Sequence, residues 1–358
     1  MQSIMDFPLR LPAVFSGGDV SENEDSVPVR LSECIMAGAD AVCISCPDDG
    51  RTAKKNAGAS PIGGVLGPSG ISLASPGEHD FDFLYAITRE KIRAFADAGI
   101  RFLLLNRQTS LADMRAALLS AKSRKLPVLA CMTSACGEEG GIFLPALITL
   151  QAMGVSGVGL CGVPDDSMLA AVRQAVSHAS VPLFVIADAI PGQTPDEYGD
   201  AVRPLLEAGI RLVGCGRNTS PEFLGILAES IKKYGPPEIP EEPDCCAAAT
   251  ERETFFLGDN IEFSEPLPCS GSLVDKLIDL DDERVTAALV RVDSIDDAVL
   301  LGKDAPMSKL PIAVRADSAT VLDASLRYFQ GRLIVDSDSD IDPEVLEPLA
   351  AKYGAIVY

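Results

Sequence analysis

Two cysteines end short apolar segments, and their position is the first chemical feature of the sequence. Cys161 ends the segment 157-GVGLC-161, and Cys215 ends 211-RLVGC-215, which continues into a polar turn and the start of a helical pattern. A cysteine at the carboxyl end of a strand, facing a helix N-terminus, can serve as a metal ligand or as a reactive thiol. The alternative is that both are small apolar side chains of a buried core. These residues alone leave both interpretations open.

The segments that carry these cysteines belong to a regular alternation of apolar runs and amphipathic stretches, from residue 9 to about 233. The apolar runs are continuous, which is typical of parallel strands covered on both faces. Eight such strands with intervening helices predict a (β/α)8 TIM barrel. The predicted strands are 11–16, 40–45, 62–67, 101–106, 127–133, 157–161, 182–187 and 211–215, and the predicted helices are 28–37, 85–98, 110–123, 143–153, 165–178, 195–208 and 220–233. The segment 46-CPDDGRTAKKNAGASP-61 is predicted to be a polar loop.

A proline- and glutamate-rich segment at 235–254 interrupts the alternation and is predicted to be a linker. Residues 255–358 then contain about five further strands, too few for a closed barrel of this type. The expected architecture is α/β: a TIM barrel over 1–234, the linker, and a smaller, incomplete, half-barrel-like α/β domain over 255–358. The predicted strands of this domain are 255–261, 286–292, 311–316, 332–337 and 355–358.

The charge, the hydropathy and the cysteine content of the sequence disfavour several classes of partner and location. The net charge of −22 disfavours nucleic acid and anionic membrane surfaces as partners. The N-terminus lacks the long apolar core of a signal peptide, and no run of about 18 apolar residues is present to span a membrane. The ten cysteines show no small disulfide framework, and most lie in apolar, strand-like runs. We therefore expect a protein of the reducing cytoplasm.

Several segments carry a family resemblance. Residues 7–233 resemble the homocysteine-binding domain of homocysteine S-methyltransferases, the domain that opens cobalamin-dependent methionine synthase. The matching segments are 66-LGPSG-70, 93-RAFADAGIRFLLL-105, 113-DMRAALLSAKSRKLPVLACMT-133, 157-GVGLCGVP-164 and 191-PGQTPDEYGDAVRPLLEAGIRLVGCGRNTSPEFLGIL-227. The second region resembles the start of the pterin-binding domain that follows in methionine synthase, through 310-LPIAVRADSATVLDASLRYFQGRLIVDS-337 and 348-PLAAKYGAIVY-358.

The resemblance implies a zinc site made of three cysteines, one closing strand six and two adjacent ones after strand eight. Cys161 stands at the strand-six position. At strand eight, 214-GCGRNTSPE-222 replaces the family pattern Gly-Gly-Cys-Cys-Gly-Thr-Thr-Pro-Glu, so Gly216 and Arg217 stand where the two cysteines belong. Cys215 falls one residue early, and on a strand a displacement by one residue turns the side chain to the other face.

Three outcomes for the metal follow from these substitutions. The conventional three-cysteine zinc centre requires ligands that strand eight no longer offers. A rebuilt centre would use Cys161 and Cys215, with Cys131 or Asp188 as a further ligand. The third outcome is that the cysteines are buried apolar side chains, and this is the one we expect.

The resemblance also indicates residues that would bind the substrate. Asn106 stands at the acidic position that closes strand four in the family, and Asp188 begins the stretch that replaces its Asn-Ala-Gly turn. In a protein that has lost the metal, Arg217 and Asn218 would line a pocket. A helix N-terminus near Ser220 would then favour an anionic or carboxylate ligand.

The cofactors of methionine synthase are not expected here. Residues that would hydrogen-bond the pterin are replaced by Glu262, Arg315 and Asp336, so folate binding is not expected. The cobalamin fingerprint Asp-x-His-x-x-Gly is absent, since neither His79 nor His178 lies in such a motif. The chain is therefore not expected to bind cobalamin itself.

The resemblance implies methyl transfer to the thiol of homocysteine, from a small methyl donor or a separate corrinoid protein. The alternative is a non-catalytic paralogue that binds a small amino acid or thiol, or that acts as a scaffold. Fold alone does not decide between them.

Overall fold

The computed structural model describes residues 11, 13–16, 27–71, 73, 80–137, 141–237, 239–240, 243–280, 285–305 and 308–358. Contacts divide the chain into two units. The first comprises residues 1–71, 82–139 and 155–243, and the second comprises 72–81, 140–154 and 244–358.

The first unit is built around a parallel eight-stranded sheet in the order β1-β8-β7-β6-β5-β4-β3-β2, as seen in the described residues. A parallel bridge between Phe15 and Ala41 joins the two end strands, so the sheet curls into a nearly closed barrel. The fold predicted from the sequence is therefore confirmed. The strands are β1 (Ala13–Ser16), β2 (Val42–Ile44), β3 (Ile62–Leu66), β4 (Phe102–Gln108), β5 (Val128–Thr133), β6 (Gly157–Gly162), β7 (Leu183–Ala187) and β8 (Leu212–Cys215).

Helices alternate with these strands, as the amphipathic pattern predicts. They are α1 (Val27–Met36), α2 (Gly50–Asn56), α3 (Phe81–Ala98), α4 (Leu111–Lys122), α5 (Phe143–Ala152), α6 (Asp166–Val176), α7 (Pro195–Glu207) and α8 (Pro221–Ile231). Helix α5 belongs to the second unit, where Ile148 packs against Ala247 and Ala249. The predicted loop at 46–61 instead contains a 3-10 turn at Pro47–Asp49 and the helix α2.

Local capping fixes where several helices begin. The Ser110 side chain accepts a hydrogen bond from the backbone of Asp113 at the start of α4. The side chain of Asp113 is thereby directed to the loop after β3, where its carboxylate accepts from the backbone N–H and hydroxyl of Ser69. Thr194 and Glu197 form a full capping box at α7.

Apolar side chains fill the barrel. Phe15 and Phe184 meet edge to face, with ring centroids 6.3 Å apart. Gly63 and Gly214 leave room for aromatic rings, because a Cβ at either position would lie 2.5–2.7 Å from Phe102 or Phe15. The interior cluster consists of Ala13, Phe15, Ala41, Cys43, Phe102, Leu104, Leu129, Cys131, Cys161, Phe184, Ile186 and Leu212. Two cysteines on adjacent strands, Cys131 and Cys161, thus belong to the interior face.

The second unit contains a five-stranded parallel sheet in the order β11-β12-β13-β14-β15, together with an antiparallel hairpin, β9-β10, among the described residues. The strands are β9 (Ala247–Ala249), β10 (Thr254–Phe256), β11 (Leu267–Pro268), β12 (Ala288–Arg291), β13 (Ile312–Arg315), β14 (Ile334–Val335) and β15 (Ile356–Val357), and the helices are α9 (Leu273–Asp279), α10 (Ile295–Asp304), α11 (Ala319–Tyr328) and α12 (Pro343–Tyr353). Strand β9 lies within the segment predicted to be a linker. Strand β11 was not predicted.

The hairpin and the segment after it cover one face of this sheet. Ala248 packs with the sheet residues Leu289 and Ile334, and Ile261 and Phe263 add to the same cluster. The second unit therefore covers this face of its sheet with its own chain. Arg332 ties the hairpin down by donating to the carbonyl oxygens of Cys245, Ala247 and Gly354.

Candidate functional site

The candidate site lies at the carboxyl ends of the barrel strands, where strand β4 ends in an irregular turn. The pairing of β4 with β5 shifts register between Leu105 and Gln108. Arg107 lies within this bulge and has φ 56°, a left-handed conformation that a residue with a side chain rarely adopts. Bulges next to functional sites commonly redirect a side chain. Here the bulge directs the Arg107 side chain to the end of β7.

The carboxylate of Asp188, directly after β7, receives that guanidinium. Arg107 Nη2 donates to Asp188 Oδ1 at 2.5 Å and to Oδ2 at 2.8 Å, and the backbone N–H of Arg217 donates to Oδ1 at 2.7 Å. Gly216 makes room for the carboxylate, because a Cβ at this position would collide with Asp188 Oδ1. The side chains of Arg107 and Asp188 are only 19% and 11% exposed, so their attraction is screened less than that of a surface pair.

Beside this ion pair, two thiols meet inside the barrel. Cys131 on β5 is paired in register with Gly159, and Cys161 on β6 is paired with Thr133, so the cysteines are diagonal neighbours on one face. The two thiols lie near enough to perturb each other's pKa, and Arg107 affects the pKa of both. Both residues are almost fully buried.

The two thiols differ in acidity. The hydrogen bond from Cys131 lowers the pKa of Cys161, and the positive charge of Arg107 acts in the same direction against the effect of burial. Burial, followed by the hydrogen bond to Cys161, raises the pKa of Cys131 well above its usual value.

Cys215 faces the opposite side of the sheet. The hydroxyl of Tyr198, on α7, donates to the carbonyl of Ala187 at 2.8 Å and lies 3.9 Å from Cys215 Sγ. Burial raises the pKa of Cys215 to about 12. The residue is a buried thiol of the layer between strands and helices, and its neighbours in sequence, Gly214 and Gly216, hold the interior positions.

These positions do not fit the three-sulfur zinc centre that the sequence resemblance implies. Cys161 faces the interior and Cys215 faces the helices, so the two cannot share an ion without rearrangement of β8. The place beside Gly216 holds the Asp188 carboxylate and its guanidinium partner. Within the described parts of the chain, no group of three or more His, Cys, Asp or Glu side chains is arranged to hold a metal ion. Joint ligation by Cys161 and Cys215 stays a prediction that this geometry does not favour.

The other predicted site residues take different places around the ion pair. Arg217 and Asn218 form the exposed turn after β8. Asn218 has φ 58° and donates from Nδ2 to the carbonyl of Ala189 at 3.0 Å. Asn106 precedes Arg107 in the β4 bulge, and its Oδ1 is buried.

Two residues of the cluster were missed from the sequence. Arg107 stands next to Asn106 in 102-FLLLNRQ-108, and a charged residue within a buried segment was the available signal. Gln108 is 2% exposed; its Nε2 donates to Leu66 at 3.0 Å, whereas its Oε1 has no partner among the described residues. Such an acceptor suits a ligand that brings its own donor.

The second unit has a similar ion pair at the ends of its strands. Arg315, which ends β13, pairs at 2.5 Å with Asp336, which follows β14 and is almost fully buried. These are two of the positions where the resemblance places pterin-binding residues. An open groove of about 600 Å³ lies between α11 and α12, but two of its three charged residues, Asp323 and Lys352, bond to each other at 2.7 Å. The barrel cluster is therefore the better candidate site.

A barrel of alternating strands and helices, with charged groups and thiols at the carboxyl ends of its strands, places its site where TIM-barrel proteins do. Residues 26–231, more than half of the chain, match the family model for homocysteine S-methyltransferase. The chain belongs to the homocysteine S-methyltransferase family. No helix among the described residues has the length and apolar character needed to cross a membrane.

Individual proteins are similar to the chain in sequence or in fold. The methionine synthases of Mycobacterium leprae and Mycobacterium tuberculosis are each 24% identical to the chain, over 353 and 340 aligned residues that cover 82% of it. The chain spans less than a third of these relatives, 29% and 28% of their length. The apo form of the homocysteine methyltransferase MmuM from Escherichia coli shares the fold, with a TM-score of 0.51 and 17% identity, over 61% of this chain and 95% of that one.

Proposed function

We propose that the barrel binds homocysteine or a similar small amino acid or thiol at the mouth formed by Arg107, Asp188 and Cys161, without the family's three-sulfur zinc centre. Family membership supports the substrate class. The observation that carries the proposal is the ion pair between Arg107 and Asp188, which occupies the interior position beside Gly216.

The charges of the mouth are complementary to an amino acid. Its carboxylate matches the guanidinium of Arg107 and the exposed side chain of Arg217, and its ammonium group matches the carboxylate of Asp188. The carboxylate of such a ligand can pair with Arg107 in place of Asp188, and its ammonium group can pair with Asp188 in place of Arg107. Neither protein charge is then buried without a partner. The planar guanidinium of an arginine can donate two parallel hydrogen bonds to one carboxylate, so an arginine is well suited to bind the carboxylate of the ligand.

Calorimetric titration of the full chain with L-homocysteine tests this proposal. We expect saturable binding that Asp188→Asn abolishes and Arg217→Gln weakens. Asp200→Asn is the matched control, because Asp200 pairs with Arg203 on the exposed surface. The exposed position of Arg217 makes its variant a test that does not depend on the stability of the core. Binding that is unchanged by both Asp188→Asn and Arg217→Gln contradicts the proposed site, and absence of binding contradicts the proposed ligand class.

Retained methyl transfer is the second candidate function. Its specific support is the thiol cluster at the mouth, where Arg107 can stabilise the negative charge of a bound thiolate. In this reaction the sulfur of the acceptor attacks the methyl carbon of the donor, and the bond from that carbon to the donor breaks. Incubation of the protein with homocysteine and methylcobalamin, used as a free corrinoid donor, tests it by the formation of methionine. Methionine formation that is lost in Arg107→Gln and kept in Asp200→Asn supports catalysis, and no formation above the protein-free rate supports a binding protein.

A further inference from the structure

The bulge at the end of β4 gives the Arg107 side chain its direction. Between Leu105 and Gln108, which both pair in register with β5, β4 has two residues where β5 has one. One of the two is Arg107, whose φ of 56° is costly for a residue with a side chain. A conformation of this kind persists only where the surrounding structure holds it. The contacts that hold the bulge therefore decide where the guanidinium lies.

The side chain of Gln108 bridges the bulge and the neighbouring strand. Its Nε2 donates to the carbonyl oxygen of Leu66, at the end of β3, at 3.0 Å and to that of Asn106, inside the bulge, at 3.3 Å. Only an N–H group can face two carbonyl oxygens in this way, so the orientation of the carboxamide is fixed. This orientation leaves the buried Oε1 without a partner in the part of the chain that the structure describes. Because such an acceptor is costly, the two donated hydrogen bonds are what the orientation preserves.

The backbone of Gln108 fastens the other side of the bulge. The residue is paired in register with Met132 on β5, and its carbonyl oxygen lies 3.9 Å from the thiol sulfur of Cys136, which donates to it. Gln108 is 2% exposed, so water does not compete for these contacts. The bulge is thus tied to β3 by a side chain and to β5 by the backbone of the same residue.

We propose that Gln108 is a positioning residue for Arg107, whose guanidinium reaches Asp188 because the carboxamide bridge to Leu66 and Asn106 keeps the β4 bulge in shape. Among the described residues, the hydrogen bonds of Gln108 go to β3, β4, β5 and the turn after β5, and not to the ion pair. Its effect on Asp188 therefore passes through Arg107. For ligand binding the inference rests on the proposed function, in which the guanidinium receives the ligand's carboxylate.

Hydrogen exchange of the full chain without ligand tests the proposal. Gln108→Met removes the donor and keeps the approximate size of the side chain. We expect about tenfold faster exchange in the segment that contains β8 and the turn after it, because the backbone N–H of Arg217 donates to the carboxylate of Asp188. Gln330→Met is the matched control, since Nε2 of Gln330 also donates to a backbone carbonyl, that of Tyr328 in the second unit.

A combination of variants distinguishes a role through Arg107 from a general loosening of the barrel. In Arg107→Gln the guanidinium is already absent, so the addition of Gln108→Met is expected to leave the exchange of the β8 segment unchanged. General loosening would instead make the two effects add. Gln108→Glu keeps the shape of the side chain and replaces its donor with an acceptor. It is expected to act like Gln108→Met, so the test does not depend on the folding of one variant.

Three results would overturn the proposal: unchanged exchange of the β8 segment in Gln108→Met, an equal increase in Gln330→Met, or a further increase when Gln108→Met is added to Arg107→Gln. Calorimetric titration with L-homocysteine measures the consequence for the ligand, and we expect Gln108→Met to bind about tenfold more weakly. Full affinity despite faster exchange would overturn the role in binding. If the unaltered chain binds no homocysteine, the proposed function has failed, and the exchange measurement still decides whether Gln108 positions Arg107.

Discussion

Replacement of Asp188 by asparagine removes the negative half of the ion pair while preserving the size of the side chain. Arg107 then keeps its guanidinium in a place that is 19% exposed, without the charge that offsets its desolvation. Breaking a fully buried pair costs about 3–5 kcal/mol, and an exposed pair contributes at most about 1 kcal/mol. Because the two side chains are mostly but not fully buried, we expect Asp188→Asn to cost about 2–3 kcal/mol.

The assay must report on the barrel alone, because a chain of two units need not unfold in one step. Hydrogen exchange followed by mass spectrometry measures the opening free energy of the segment that contains β8 and the turn after it. The backbone N–H of Arg217 is a direct reporter, since it donates to Asp188 Oδ1. We expect faster exchange throughout this segment in Asp188→Asn.

A double-mutant cycle separates the pair from the individual residues. The variants Arg107→Gln, Asp188→Asn and their combination are expected to give a coupling energy of about 2 kcal/mol. Asp200→Asn, which removes a surface pair of 58% and 65% exposed side chains, is expected to cost less than about 1 kcal/mol. Equal costs for Asp188→Asn and Asp200→Asn, or a cycle without coupling, would show that the pair of Arg107 and Asp188 does not stabilise the barrel more than a surface pair does.

Three other predictions concern single positions. Gly216→Ala places a methyl group against the carboxylate of Asp188, and we expect a loss of about 1–3 kcal/mol in the same exchange assay, whereas no loss would show that the carboxylate lies elsewhere. Cys161 is expected to react with a small alkylating reagent at a lower pH than an ordinary thiol, because the neighbouring thiol of Cys131 and the guanidinium charge of Arg107 lower its pKa. Cys215, whose pKa is raised by burial to about 12, is expected to stay unreactive in the native protein. Faster alkylation of Cys215 than of Cys161 would contradict this difference. Arg332→Ala leaves three carbonyl oxygens without their donor, so we expect it to destabilise the hairpin of the second unit by on the order of 3 kcal/mol. Limited proteolysis should then cleave the hairpin faster, and an unchanged cleavage rate would contradict this prediction.

The barrel could be predicted from the sequence because its strands are continuous apolar runs that alternate with amphipathic helices. The elements that were missed lack that signal. Helix α2, with the sequence GRTAKKN, is short and polar and buries only Gly50 and Ala53. Strand β11 has two residues, one of them Pro268. Strand β9 is a run of alanines inside a segment whose prolines and glutamates dominate the composition.

The candidate site was predicted less well, for a physical reason. The substitutions at Gly216 and Arg217 and the displacement of Cys215 could be recognised along the chain. The alternation of side chains on a strand indicated that this displacement turns the Cys215 side chain to the other face. Which partner replaces the missing sulfurs depends on contacts across the barrel. The bulge that turns Arg107 across the barrel mouth produces no periodic pattern in the sequence. Whether Cys131 and Cys161 become neighbours depends on the register of β5 against β6, which the sequence does not show.

The zinc content of the purified full chain, measured by elemental analysis after purification without chelators, decides whether the barrel still holds the metal of its family. We expect no stoichiometric zinc, because the interior of the barrel offers an arginine and an aspartate where strand eight of the family offers two sulfurs. Stoichiometric zinc that is lost in Cys161→Ser but kept in Asp200→Asn would show that the barrel retains a metal centre built on Cys161.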